Sequence, residues 1–170
     1  MKSSYEVRAL KFARVLASLF FGCEDLDDFE YAVEWYNANH SRKLTTAHGV
    51  SRFAIIRADY VIKFDMTPRS DFRDGRAGNC ASEERVYARA VEEGMEHLLA
   101  KTTVVNMGDH TIAIMPRISG IDDSERCWWD YCTRKERQWL DDNINDLHDG
   151  NVGYRNGKVC VIDYAWDCTE

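Results

Sequence analysis

Between positions 12 and 20 the apolar residues Phe12, Val15, Leu16, Leu19 and Phe20 take the i, i+3, i+4, i+7 and i+8 places of one helical face, with Lys11, Arg14 and Ser18 off it. That spacing predicts an amphipathic packing helix. A second helix is expected over residues 26–39, behind the acidic turn CEDLDD, whose carboxylates favour a helix start. A polar stretch, NANHSRKLTTAHG, follows, and then the pattern changes. RFAIIRADYVIKFD holds two short β-rich runs, residues 53–56 and 60–64, parted by a turn-like Arg-Ala-Asp, and reads as a hairpin. Alternation in the second run puts Val61, Lys63 and Asp65 on one face and Tyr60, Ile62 and Phe64 on the other.

Beyond a charged loop with Pro and Gly punctuation (66–79), a helix is predicted over residues 82–99. Glu83 shares a face there with Val86, Tyr87, Ala90 and Val91 and so points to the core, whereas Glu84 points partly aside. Strands TTVVNM and TIAIM flank a Gly-Asp turn, a PRISG connector follows, and residues 122–144 read as helical. Near the end, Asn156-Gly157 predicts a two-residue type I′ turn, since both central residues of that turn need positive φ. Pairing outward sets Arg155 opposite Lys158, Tyr154 opposite Val159, Val152 opposite Val161 and Asn151 opposite Ile162. Asn151 and Asp163 thereby meet at the open end.

Composition narrows the function classes. At 170 residues with 45% hydrophobic content, the chain is long enough to bury a core without disulfides or metals. Its net charge of -7 argues against a whole-protein attraction to nucleic acid or anionic membranes. The six cysteines form no C-x-x-C pair and no signal segment stands at the N-terminus, so reduced thiols and a cytoplasmic location are expected. No stretch reaches the roughly 20 apolar residues that a membrane helix needs. The histidines and cysteines lack zinc-ligand spacing, and His148 is expected to orient its loop.

Candidate chemistry concentrates in DLHDGNVGYRNGKVCVID, residues 146–163. Asn151 and Asp163 offer hard oxygens of the kind Mg²⁺ accepts alongside water and phosphate, with Asp146 and Asp149 upstream. The plainer alternative is that Asp146, Asp149 and Asn151 only make side-chain to backbone bonds in a turn.

These residues resemble the catalytic loop and metal-binding segment of the protein kinase-like superfamily, in wording closest to the D-L-H-x-G-N form of atypical and small-molecule kinases. The resemblance implies that Asp146 orients or deprotonates an acceptor hydroxyl and that Asn151 and Asp163 hold Mg²⁺. It implies Lys63 in YVIKFD as the ATP-binding lysine, Glu83 as its helix partner, Val61 against adenine, and a hinge over 115–118 that includes Met115, Arg117 and Ile118. The fold implied is α+β: a reduced kinase-like fold with an N-terminal helical appendage (1–44), an antiparallel N-lobe sheet (45–118) and a truncated, mainly helical C-lobe (119–170).

Two departures from the family stand out. Of its three loop glycines only Gly49, in AHGVSRF, has a counterpart, and the chain runs only seven residues past Asp163, with Tyr164-Ala165 in place of Phe-Gly. No activation segment or peptide-binding helices are therefore expected. The compactness, the N-terminal helices and the N-G-x-V-x-V-I wording resemble small kinase-like proteins of podovirus-type bacteriophages. The first expectation is a minimal Mg²⁺/ATP-dependent Ser/Thr kinase acting on a host or partner protein in the host cytoplasm. A pseudokinase that binds a host protein is second and a small-molecule phosphotransferase third. A fourth class, an acidic mimic of nucleic acid, is disfavoured because the acids alternate with Arg and Lys.

Overall fold

The computed structural model describes residues 3–66, 79–120 and 127–165. Most of the charged loop, residues 122–126 of the expected helix, and Cys168 lie outside that range.

Helix α1 (Ser4–Leu19) begins at a capping box in which Ser3 Oγ accepts the Glu6 N–H and the Glu6 carboxylate accepts the Ser3 N–H. Its buried stripe is Ala9, Ala13, Leu16, Ala17 and the following Phe20. The expected face was therefore rotated: Phe12 and Leu19 are half-buried, and Val15 is 55% exposed. Helix α2 (Leu26–Asn39) matches its expected limits and starts at Asp25, whose side chain accepts the Asp28 N–H.

Among the described residues, β1 (Thr45–His48), β2 (Arg52–Ile56), β3 (Tyr60–Asp65), β4 (Thr103–Met107) and β5 (His110–Pro116) form one antiparallel sheet in the order β1-β2-β3-β5-β4. The 53–56 and 60–64 hairpin stands as expected, with Ile56 opposite Val61. Strand β1 was not expected, because all four of its residues are exposed and carry no alternation. Its ladder to β2, closed by the Gly49 N–H on the Arg52 carbonyl at 3.0 Å, makes it a strand.

Tyr60, Ile62 and Phe64 face α1 and α2, where Phe20, Phe29, Phe53 and Phe64 interlock with Phe20–Phe29 and Phe29–Phe53 centroids 4.9 and 5.0 Å apart. Each such buried ring contributes on the order of 2–3 kcal/mol. The N-terminal helices are thus no appendage: they supply half of the core of the sheet. The opposite face of β2 and β3 is left open to a cavity.

Helix α3 (Cys80–Glu92) is shorter than the expected 82–99, because Gly94 takes φ 71° and turns the chain into a short 3₁₀ segment, Glu96–Leu98. The C-terminal part also differs from the mainly helical expectation. Trp128–Tyr131 is a 3₁₀ turn, α4 (Arg134–Asn143) starts afresh at the Thr133/Glu136 capping box, and β6 (Ser119–Gly120), β7 (Val152–Arg155) and β8 (Lys158–Val161) form a second sheet. Its hairpin keeps the expected register, with Asn156 and Gly157 at φ 53° and 78°. A second core joins Val86, Ala90, Leu99, Trp139, Leu140, Val152, Val161 and Tyr164. The five described cysteines are free thiols.

Candidate functional site

The cavity of about 900 Å³ lies between the open face of β2–β3 and the two segments that flank the β7–β8 hairpin, the 145–151 loop before it and residues 162–163 after it, with Lys63, Asp146, Asn151 and Asp163 all in its lining. That volume suits a nucleotide-sized ligand.

Its charged end is built from four elements. Asp65 at the end of β3 accepts the Cys80 N–H at 2.9 Å and pins the first turn of α3, so Glu83 arrives beside Lys63. The Lys63 ammonium donates to Glu83 Oε1 at 2.6 Å and to the Ile162 carbonyl at 2.8 Å. Arg52, opening β2, donates to the same Glu83 oxygen at 2.6 Å and reaches across to the Asp163 carboxylate. Lys63 stands 3.9 Å from that carboxylate. Glu83 is fully buried, and its Oε2 has no hydrogen-bond partner among the described residues. Glu84, one residue on, is exposed.

Electrostatics follow from burial and crowding. Desolvation pushes the Lys63 ammonium down to about 8, with Glu83 opposing and Arg52 adding to the fall. Burial also works to raise the Glu83 carboxyl, but the Lys63 and Arg52 charges outweigh it and leave it below its ordinary value.

The loop residues 146–151 fold tightly. The Asn151 amide NH2 group donates to the Asp146 carbonyl at 2.9 Å and to its carboxylate at 3.4 Å, so the loop is held by the nitrogen end of that amide. The Gly150 N–H donates to His148 Nδ1 at 3.0 Å. A Cβ on Gly150 would meet the His148 ring at 2.8 Å, so the glycine in D-L-H-D-G-N makes room for that contact. His148 therefore orients the loop, as expected. The Asn151 carbonyl accepts the Ile162 N–H at 2.8 Å and ties the loop to the strand that leads into Asp163. Behind Asp163, Tyr164 is buried with its hydroxyl 2.5 Å from both Thr102 Oγ1 and the Ala100 carbonyl, an anchor for the adjacent carboxylate.

The apolar end is lined by Ala54, Ile56, Val61, Met115, Ile118 and Ile162. The Arg117 N–H is spent on the Asp59 carbonyl at 3.1 Å, and ladder alternation turns Met115 toward Val61 in the same way. Pro116 has no N–H. By the same alternation the Pro116 carbonyl turns away from the β3 ladder. The Arg117 side chain donates to the Arg57 carbonyl at 3.4 Å and lines a separate concavity with Arg8, Arg42 and Arg57. Among the expected candidates, Arg117 and the exposed Asp149 lie off the main cavity and its ion pairs.

Sequence reasoning missed Arg52. Its only local signal is position: Arg52, Ala54 and Ile56 alternate onto the cavity face. No group of three or more His, Cys, Asp and Glu among the described residues is placed to hold a metal ion, and no described helix is long and apolar enough to cross a membrane. No protein-family model matches the chain, and no curated protein matches its sequence.

Proposed function

We propose that the chain is a Mg²⁺/ATP-dependent phosphotransferase with a reduced protein kinase-like fold, acting on a Ser or Thr hydroxyl of a host or partner protein. One observation carries the reading: a strand lysine paired at 2.6 Å with a helix glutamate faces the same cavity as the D-x-x-x-x-N loop and the hairpin aspartate. In this reading adenine lies between Ala54 and Val61 on one side and Ile162 on the other, with its edge toward the Pro116 carbonyl. Lys63, held by Glu83, grips phosphate, and Asp146 receives or orients the acceptor hydroxyl.

The donor set fits a divalent cation. Mg²⁺ takes one or two protein ligands with water and phosphate oxygens, and Asp163 (37% exposed) and the Asn151 amide oxygen, both on residues lining the cavity, would supply them. Bound there, the ion would neutralise phosphate charge and hold the phosphates in line.

The second reading is a pseudokinase-type binding protein that modulates a host protein without transfer. It is favoured by Arg52, which holds the Asp163 carboxylate, and by the two-residue turn Val50-Ser51 where the family has a glycine-rich loop. Thermal melting separates a nucleotide site from its loss. Saturating ATP with Mg²⁺ at about 100 times Kd should add about 2.7 kcal/mol, a rise of several degrees that chelation diminishes and Lys63→Met abolishes. An unchanged melting temperature in wild type would favour the binding protein.

A further inference from the structure

Resting on the nucleotide-site reading, we infer that Arg52 is the phosphate-gripping group that stands in for the glycine-rich loop, and that its tie to Asp163 lets the site take nucleotide before the divalent cation. The family motif is G-x-G-x-x-G-x-V. At that spacing this chain has Ala47, Gly49, Arg52 and Ala54, so Arg52 occupies the place of the third glycine. The hairpin keeps that spacing, but the Gly49 N–H is spent on the Arg52 carbonyl across the two-residue turn Val50-Ser51, so that amide is not offered to a phosphate. In exchange, a guanidinium enters the cavity with its fork of donors, the geometry that matches phosphate oxygens.

The placement of that guanidinium is fixed by two carboxylates. The Arg52 side chain is 8% exposed, one nitrogen donates to Glu83 at 2.6 Å and another reaches Asp163. Lys63 shares the Glu83 oxygen. Two cations thus meet one fully buried carboxylate and one that is partly open. An incoming polyphosphate would be repelled by a bare Asp163, which is why such sites ordinarily need the metal to neutralise the aspartate. Here Arg52 already does so. Phosphate can then bind to Arg52 and Lys63 without a divalent cation, and the cation displaces Arg52 from Asp163 afterwards, freeing the guanidinium's second edge for the phosphates.

Calorimetric titration of the full chain with ATP tests this, once with Mg²⁺ and once with a chelator. Wild type should bind in both, with affinities within about tenfold of one another. Arg52→Met should lose metal-free affinity by about tenfold to a hundredfold, the scale of a hydrogen bond between charged groups, and should lose less with Mg²⁺. Arg52→Lys, which keeps the charge without the fork, should fall between. Asp163→Asn leaves Arg52 in place, so it should retain metal-free binding and lose the Mg²⁺ response; this arm reads the proposal even if Arg52→Met unfolds. Binding of MgATP without any metal-free binding in wild type would overturn the inference alone. Absence of binding under both conditions would overturn the nucleotide-site reading with it.

Discussion

Lys63 is the residue on which burial, charge and proposed chemistry act together. Its ammonium is pushed down to about 8 by desolvation, so the free site sheds this proton as the pH rises through that value. A bound phosphate favours the charged form. Nucleotide binding should therefore take up a proton above pH 8, and ATP affinity should fall with rising pH there by at most tenfold per unit. Lys63→Arg, which stays charged, should flatten that fall; a pH-independent wild-type affinity between 7.5 and 9.5 would contradict the assignment. The sign for stability is opposite. The unfolded chain holds this proton up to 10.5 and the folded one only to about 8, so the Lys63 contribution to stability rises with pH across that window. The pairing itself is tested by phosphoryl transfer: Lys63→Met and Glu83→Gln should each reduce it, and together by less than the product, since both act on one 2.6 Å contact. A larger loss in Glu84→Gln would move the role to a residue that is exposed.

At the scale of elements, α1 is fastened by the residue that begins it. The buried Glu6 carboxylate accepts from the Ser3 N–H at 2.6 Å and from Lys101, just ahead of β4, at 2.9 Å, joining helix start to sheet edge. Burial opposes its ionisation, but the Lys101 and Ser3 hydrogen bonds outweigh burial and hold the carboxyl at about 2. Its stabilising contribution is thus present above pH 4.5 and is lost as the pH falls from 4.5 toward 2. Urea unfolding at stepped pH should show Glu6→Gln less stable by about 1–3 kcal/mol at neutrality and less sensitive to acid in that window. An unchanged acid response would place the anchor elsewhere.

The same scale explains what could be read from the chain. The limits of α2, the I′ turn at Asn156-Gly157 and the Thr133-x-x-Glu136 cap are set by neighbours in sequence, and the first two were legible; the cap signature was overlooked, so the break before α4 was missed. Strand β1 pairs with the adjacent β2 but its own residues carry no period, and the two-residue β6 owes its state to β7, more than 30 residues on. Arg52 was illegible for the same reason: its partners lie 31 and 111 residues away. Lys63 and Glu83 were legible because each sits on a strongly patterned element, so direction followed from spacing.

At the scale of the whole molecule, a protein with net charge -7 gathers two buried cations at one end of a cavity whose other end is apolar. The five-stranded sheet brings Arg52 and Lys63, α3 brings Glu83, and the second sheet brings Asp163, so the site forms only when both cores are assembled. The central claim is that this convergence transfers phosphate, with Asp146 acting on the acceptor and Asp163 on the nucleotide. The direct measurement is transfer from labelled ATP with Mg²⁺ to protein acceptors in a cell extract, with ATP binding followed in parallel for wild type, Asp146→Asn and Asp163→Asn. Asp146→Asn should keep MgATP binding and lose about 10²-fold or more in transfer. Asp163→Asn should lose transfer and the Mg²⁺-dependent part of binding. Equal transfer by wild type and Asp146→Asn would contradict the account.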